Sequence, residues 1–202
     1  MTRNLGPTDL KRLHRTWRRR GVPPLAMALD DVQGPFNVGA IVRTAAAERL
    51  EHLWLAGATP PPSHPKVQRT AMGCDRFVEW EHTDTIGDAL ATAREGGLQI
   101  VGVELAEGAQ PLFDLDLAVP TCLVVGHEDR GLSPAALAVC DAVGFVPQLG
   151  RVGSLNVAQA AGIAIYEARR QTWVAAPTSG DGPEPDSAPA QTMGDNVPDH
   201  HG

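Results

Sequence analysis

The feature that most constrains this chain is an alternation: short apolar runs of strand length, each followed by a stretch with helical periodicity. The runs Leu25–Leu29, Leu53–Ala56, Phe77–Trp80, Gln99–Val103, Cys122–Val125 and Gly144–Val146 predict strands. The segments Val38–Leu50, Lys66–Cys74, Thr85–Glu95, Pro134–Cys140 and Leu155–Thr172 predict helices. Strands alternating with helices build an α/β fold, a mainly parallel sheet with helices on both faces, because each parallel crossover must pass over one face of the sheet. Such sheets bind ligands beyond the carboxyl ends of their strands. Polar residues at the strand-to-helix junctions are therefore the first candidates for chemistry.

Three junctions carry them. The first reads Asn37-Val38-Gly39-Ala40-Ile41-Val42-Arg43-Thr44-Ala45. Asn37 precedes an apolar-periodic segment, where its side chain can cap a helix, and Arg43 lies nearly two turns further on among small residues. That arginine is either a solvated or salt-bridged helix residue or a clamp on a phosphate or hydroxyl. In the second, Gly126-His127-Glu128-Asp129-Arg130-Gly131-Leu132, two glycines bracket Glu128, and backbone without side chains suits a flat ligand. Glu128 alone is equally well an ordinary loop carboxylate. Ser133 and Pro134 then mark a helix start. In the third, Val146-Pro147-Gln148-Leu149-Gly150 leads to Ser154-Leu155-Asn156-Val157. Ser154 reads as the cap of a long helix, with Asn156 inside its first turn. Asparagine is unfavourable there, which points to a hydrogen bond made elsewhere.

Length and charge bound the rest. The 202 residues allow one domain with terminal extensions: a basic helical arm over 1–22, the main domain over 23–174, and an acidic, Pro- and Gly-rich tail over 175–202 that reads as disordered. Net charge is −7, but residues 1–20 hold seven basic residues against the single acid Asp9. A helix starting at Pro7 carries Lys11, Arg12, Arg15, Arg18 and Arg19 beside Leu10, Leu13 and Trp17. It is either a solvated amphipathic helix packed on the body or an RNA-docking element. Cys74, Cys122 and Cys140 lack metal or disulfide spacing, which favours buried thiols and a cytoplasmic protein. No span, leader or metal-spaced histidine pair is expected. No glycine fingerprint follows the first strand, so a nucleotide-dependent oxidoreductase of similar pattern is disfavoured.

Taken together, the clusters resemble the SPOUT superfamily of RNA methyltransferases, in its SpoU/TrmH branch of ribose 2′-O-methyltransferases. The resemblance covers roughly residues 25–172, with three motifs in order: N-x-G-x-x-x-R-T-A at Asn37–Ala45, G-x-E-x-x-G-L at Gly126–Leu132, and V-P-x-x-G-x-x-x-S-L-N-V at Val146–Val157. It implies a carboxyl-terminal trefoil knot and S-adenosylmethionine held by Glu104, Gly126, Val146, Gln148 and Leu155. It also implies an obligate homodimer in which Arg43 or Asn37 of one subunit completes the other's pocket. The catalytic group it implies is Arg43, Asn37, Glu128, Ser154 and Asn156, acting on RNA, with tRNA favoured and rRNA the alternative. Gln148 stands where the family usually has Met, and Ala158-Gln159 replaces a commoner Ser-Val pair; neither removes a polar group assigned to chemistry. The rival class is a non-catalytic RNA-binding factor on the same fold.

Overall fold

The computed structural model describes residues 2–175; of the tail expected over 175–202, Ala175 is the last residue of the final helix and the rest lies outside the described residues. Helix α1 (Pro7–Arg18) precedes an α/β body of β1 (Leu25–Asp30), α2 (Pro35–Ala47), β2 (His52–Ala56), α3 (Pro65–Ala71), β3 (Glu79–Thr83) and α4 (Ile86–Glu95). There follow β4 (Gln99–Val103), the short β5 (Gln110–Pro111), β6 (Thr121–Val125), α5 (Pro134–Val139), β7 (Ala142–Phe145) and α6 (Val157–Ala175). The strands form one seven-stranded sheet in the order β3-β2-β1-β6-β4-β7-β5, and every pairing is parallel.

Strand periodicity divides the core in two. Met27, Leu29, Leu53, Leu55, Leu123 and Val125 point to one face, where Ile41 and Val42 of α2, Val67 of α3 and Ile165 of α6 cover them. Ala28, Trp54, Ile100, Cys122 and Val124 point to the other, under Ile86 and Leu90 of α4 and Ala136 of α5. All six residues of β1 are buried, as a central parallel strand covered on both faces requires. Cys74, Cys122 and Cys140 are all free thiols, and burial pushes the Cys122 thiol far up.

Several boundaries differ from the sequence expectation. The run Phe77–Trp80 reaches the third strand only with its last two residues: Cys74–Phe77 form a 3₁₀ turn, and β3 begins at Glu79, paired with His52 of β2. That edge strand is almost wholly exposed, so it needs no apolar run. Helix α2 starts at Pro35, three residues before the expected Val38, because proline's fixed φ suits the first helical position. Gly34 takes the cap position, and Asn37 sits inside the first turn rather than capping it.

Viewed from β1, the chain runs outward through β2 and β3 on one side, then crosses to β4 on the other. Open sheets bind ligands at this kind of reversal. The carboxyl ends of β4, β6 and β7 lie together there.

Candidate active site

The site is built on the loop after β6. His127 and Gly131 pair as a small antiparallel bridge, with the His127 amide donating to the Gly131 carbonyl at 3.0 Å and the reverse bond at 2.9 Å. Gly131 has φ +67, open to glycine at little cost, and a Cβ at Gly126 would overlap the Gly131 backbone. These two glycines let the loop close on itself and lift Glu128 at its tip. The Glu104 carboxylate, just past β4, accepts the Leu132 amide at 3.0 Å and the Leu105 amide at 2.9 Å. It lies where any Gly131 side chain would go.

Glu128 is tethered to the start of α2. Its carboxylate accepts the amides of Gly34 at 2.8 Å and Gln33 at 3.1 Å and the side-chain amide of Asn37 at 2.9 Å. Partial burial works to raise its pKa, but the bonds from Asn37 and the backbone amides of Gly34, Gln33 and Glu128 itself outweigh burial. They hold the group below the ordinary carboxylate value. The Asn37 carbonyl in turn accepts Asn156 Nδ2 at 2.9 Å. Asn156 Oδ1 accepts the amides of Ala158 at 3.0 Å and Gln159 at 3.3 Å. Asn156, not Ser154, is therefore the cap of α6. Its unfavourable helix propensity is no puzzle: it stands just outside the helix and bonds in both directions. Three sequence-distant motifs meet in one chain of hydrogen bonds.

Beside this relay opens a cleft of about 290 Å³. Glu104, Gly126, Val146, Gln148 and Leu155 all line it, with Glu128, Asp129 and Ser154 at its polar side and Leu105, Phe145 and Ala160 among its apolar contacts. Gln148 Oε1 is buried and has no hydrogen-bond partner. A buried acceptor left unmade costs about 1–3 kcal/mol, so this atom is set for a donor from a ligand. With the side-chain-free cradle at Gly126 and carboxylates on one wall, the lining fits a flat group bearing N–H donors and a nearby positive charge. S-adenosylmethionine, an adenine with a sulfonium and an ammonium, has those features. Among the described residues no group of three or more His, Cys, Asp and Glu side chains is gathered for a metal, and no helix is long and apolar enough to cross a membrane.

Of the predicted catalytic residues, Glu128 and Ser154 line the cleft, and Arg43, Asn37 and Asn156 do not. Arg43 lies on the exposed outer side of α2, where its guanidinium donates to the Met72 sulfur at 3.0 Å; within one chain it does not join Glu128. Asn37 stands behind Glu128 of its own chain rather than in the cleft. The arm residues Lys11, Arg12, Arg15, Arg18 and Arg19 are exposed on α1. The helix is held at its end: Trp17 meets Trp173 edge-on at 5.2 Å, and Arg49 donates to the carbonyls of Arg18 and Arg20. Leu10, Leu13 and Trp17 remain 43%, 42% and 44% exposed, so no residue of this helix is buried on the body and its aromatic contact is that of Trp17 with Trp173.

Sequence reasoning missed the backbone amides of Gln33 and Gly34. The Gly34-Pro35 pair was their only signal, a tight turn leading into a helix. It also gave no partner to Arg130, which stays exposed but pairs with Asp31 and ties the Glu128 loop to the end of β1. Arg169 was missed as well. It is 3% exposed, and its guanidinium donates to the carbonyls of Glu48, Pro23 and Arg49 at 2.9, 3.0 and 2.7 Å.

Comparison with known proteins agrees with this geometry. The chain is 36% identical over 159 residues to an uncharacterized tRNA/rRNA methyltransferase of Synechocystis, covering 77% of this chain but only 58% of the relative. It is 34% identical over 168 residues to the tRNA (guanosine(18)-2′-O)-methyltransferase of Escherichia coli K12, covering 83% of this chain and 72% of that one. The crystal structure of the SpoU methyltransferase AviRb from Streptomyces viridochromogenes, in complex with the cofactor AdoMet, superposes with a TM-score of 0.70 at 30% identity. It covers 85% of this chain and 67% of AviRb. The chain thus spans little more than half the length of its Synechocystis relative. Because the model of the SpoU rRNA methylase family matches residues 24–166, all three polar motifs included, the chain belongs to that family.

Proposed function

We propose that the protein is an S-adenosylmethionine-dependent RNA ribose 2′-O-methyltransferase, acting as a homodimer in the cytoplasm with tRNA as its preferred substrate. The observation that carries this reading is the bonded relay Glu128–Asn37–Asn156 at the rim of a cleft with an unmet buried acceptor. The resemblance to a tRNA guanosine methyltransferase favours tRNA; the family description keeps rRNA as the second candidate.

When bound, S-adenosylmethionine supplies a methyl group made electrophilic by its sulfonium. The chain has to hold a ribose hydroxyl in line with that methyl, and such positioning is worth about 7–11 kcal/mol. Gln148 Oε1 would accept an N–H of the cofactor, and Glu104, Gly126, Val146 and Leu155 would shape its seat. Glu128, fixed by Asn37 and Asn156, would offset the cofactor's positive charge, and Ser154, lining the same cleft, would offer a hydroxyl to the substrate. Arg43 stays protonated. It binds the phosphate next to the target ribose and lowers the hydroxyl's pKa electrostatically, and the proton passes to phosphate or water.

Arg43 sits on the outer side of its own α2, so it serves the cleft of a second copy. Exposed Phe36 on α2 and Ile163 and Tyr166 on α6 supply apolar surface for such a pairing. The reading includes a knotted carboxyl terminus. In its support, Gln171 of α6 accepts the Leu117 amide at 2.8 Å and donates to the Leu115 carbonyl at 3.1 Å, clasping the segment before β6. The basic arm over 1–22 docks RNA ahead of the domain over 23–174; none of its five cited cations forms an ion pair with a described carboxylate.

The test is methyl transfer from labelled S-adenosylmethionine to tRNA and rRNA, followed by mapping of 2′-O-methyl sites. Arg43→Ala is expected to lower turnover about 10²–10³-fold, the usual cost of one charge-stabilising donor, with Arg43→Lys retaining part of the rate. Near-normal turnover in the alanine variant removes Arg43 from the chemistry. Cofactor binding with no transfer to either RNA makes the protein a non-catalytic RNA-binding factor instead.

A further inference from the structure

A second basic surface lies on the body itself, outside the arm and outside the cleft. Helix α3 crosses α2 at Gly39, where an added Cβ would stand 2.7 Å from both the Thr70 side chain and the Val67 carbonyl. That close crossing buries Val67 and Ala71 and turns Lys66 and Arg69, one helical turn apart, outward. The helix ends in a left-handed turn at Met72, whose side chain is 69% exposed and holds the Arg43 guanidinium by its sulfur. The following 3₁₀ turn presents Arg76 stacked over Phe77 at 4.7 Å, with Phe77 61% exposed. Arg43, Lys66, Arg69 and Arg76 are all exposed, and none forms an ion pair with a described carboxylate.

On a chain of net charge −7, four cations without a described carboxylate partner, beside an aromatic ring and a thioether that stay largely exposed, call for a partner that is anionic and flat at once. RNA has both properties. Phosphates answer the cations, and an unstacked base has a π-face that an aromatic ring accepts regardless of sequence. An acidic polypeptide answers the charge but not the ring.

We propose that Lys66, Arg69, Arg76 and Phe77 form an RNA-docking face that continues from Arg43. The three cations hold phosphates flanking the target nucleotide, and Phe77 stacks one unpaired base. Resting on the reading above, this face adds a contact region on the folded body that is separate from the basic arm. The arm is held by Arg49, just past the end of α2, whereas α3 crosses α2 at Gly39, ten residues or about 15 Å earlier at 1.5 Å per residue. Arm and α3 face therefore grip different parts of one RNA.

The experiment measures binding of the full chain to a fluorescein-labelled, unmodified tRNA transcript across a salt series, with S-adenosylmethionine affinity by calorimetry alongside. The triple variant Lys66→Ala, Arg69→Ala, Arg76→Ala is expected to shallow the log–log salt slope by about 2, since each phosphate contact contributes about 0.7–0.9. Its affinity for S-adenosylmethionine should stay at the parent value, because none of the three lines the cleft. Phe77→Ala is expected to weaken RNA binding about tenfold with the slope unchanged, and Phe77→Trp to restore it. A parent salt slope and affinity in the triple variant overturns the docking face while leaving the methyltransferase reading intact. Competition by polyglutamate as effective as by polyuridylate overturns it in favour of an acidic polypeptide. Parent protein that binds no RNA at any salt overturns both readings.

Discussion

Helix α6 is held at both ends by a polar side chain, and the two ends are built to opposite rules. At its start, the exposed Asn156 and Glu128 are joined through the half-buried Asn37, beside a cleft in which Gln148 Oε1 has no partner. Near its end, the buried Arg169 fills three backbone carbonyls and completes the carboxyl terminus of α2. Burial, and then the neighbouring Arg49 charge, work against that guanidinium and lower its pKa; the carbonyls offset the cost. At one end every guanidinium nitrogen has a carbonyl partner, and the other keeps a larger open cleft and an unmet acceptor. Polar groups left unsatisfied in a cleft mark the place where a ligand contributes the missing bonds, whereas a fully satisfied buried cation marks structure.

Substitutions at three positions would break or sharpen this contrast. Arg169→Met carries the largest expected effect, about 3 kcal/mol or more of lost stability in urea unfolding, because three carbonyls lose their donor. S-adenosylmethionine affinity of the folded variant should be unchanged, and a cofactor defect there would mean the two ends are coupled. Asn156→Ala comes next, with about 1–2 kcal/mol lost with the helix cap together with weakened cofactor binding as Asn37 and Glu128 come loose. Asn156→Asp keeps the capping oxygen and loses only the donation to Asn37, so it should recover most of the stability but not the binding. The smallest effect is the pH response of Glu128. Its folded pKa lies below the ordinary 4.5, so its stabilising contribution is present above that value and is lost as pH falls through the lower folded-state pKa. Acid unfolding of the parent and of Glu128→Gln should therefore converge below pH 4.5, and parallel curves throughout would contradict the tether.

Much of the scaffold was legible because it rests on local rules. Thr85 and Ser133 cap their helices through their own side-chain oxygens, as residue type predicts, and the buried strands coincide with the apolar runs. The failures share one cause. Edge strand β3 buries almost nothing, so it left no apolar signature; β5 is two residues long and pairs only with β7. Ser154 and Asn156 compete as caps two residues apart, and no local rule separates them. Asn37 was assigned to helix capping because its long-range partners could not be seen.

From the sequence alone came the parallel α/β scaffold, the strand-end position of the polar clusters and the basic face of the arm. These follow from periodicity, charge and capping propensity, which act over a few residues. Only the tertiary structure decided that Asn37 meets Glu128 and Asn156, residues separated from it by 91 and 119 positions. It also decided that Gln148 is buried without a partner and that Arg43 faces away from its own cleft. Those outcomes depend on strand order and on how α2, α3 and α6 pack, and a hydrogen bond or a packing contact acts across space with no memory of distance along the chain.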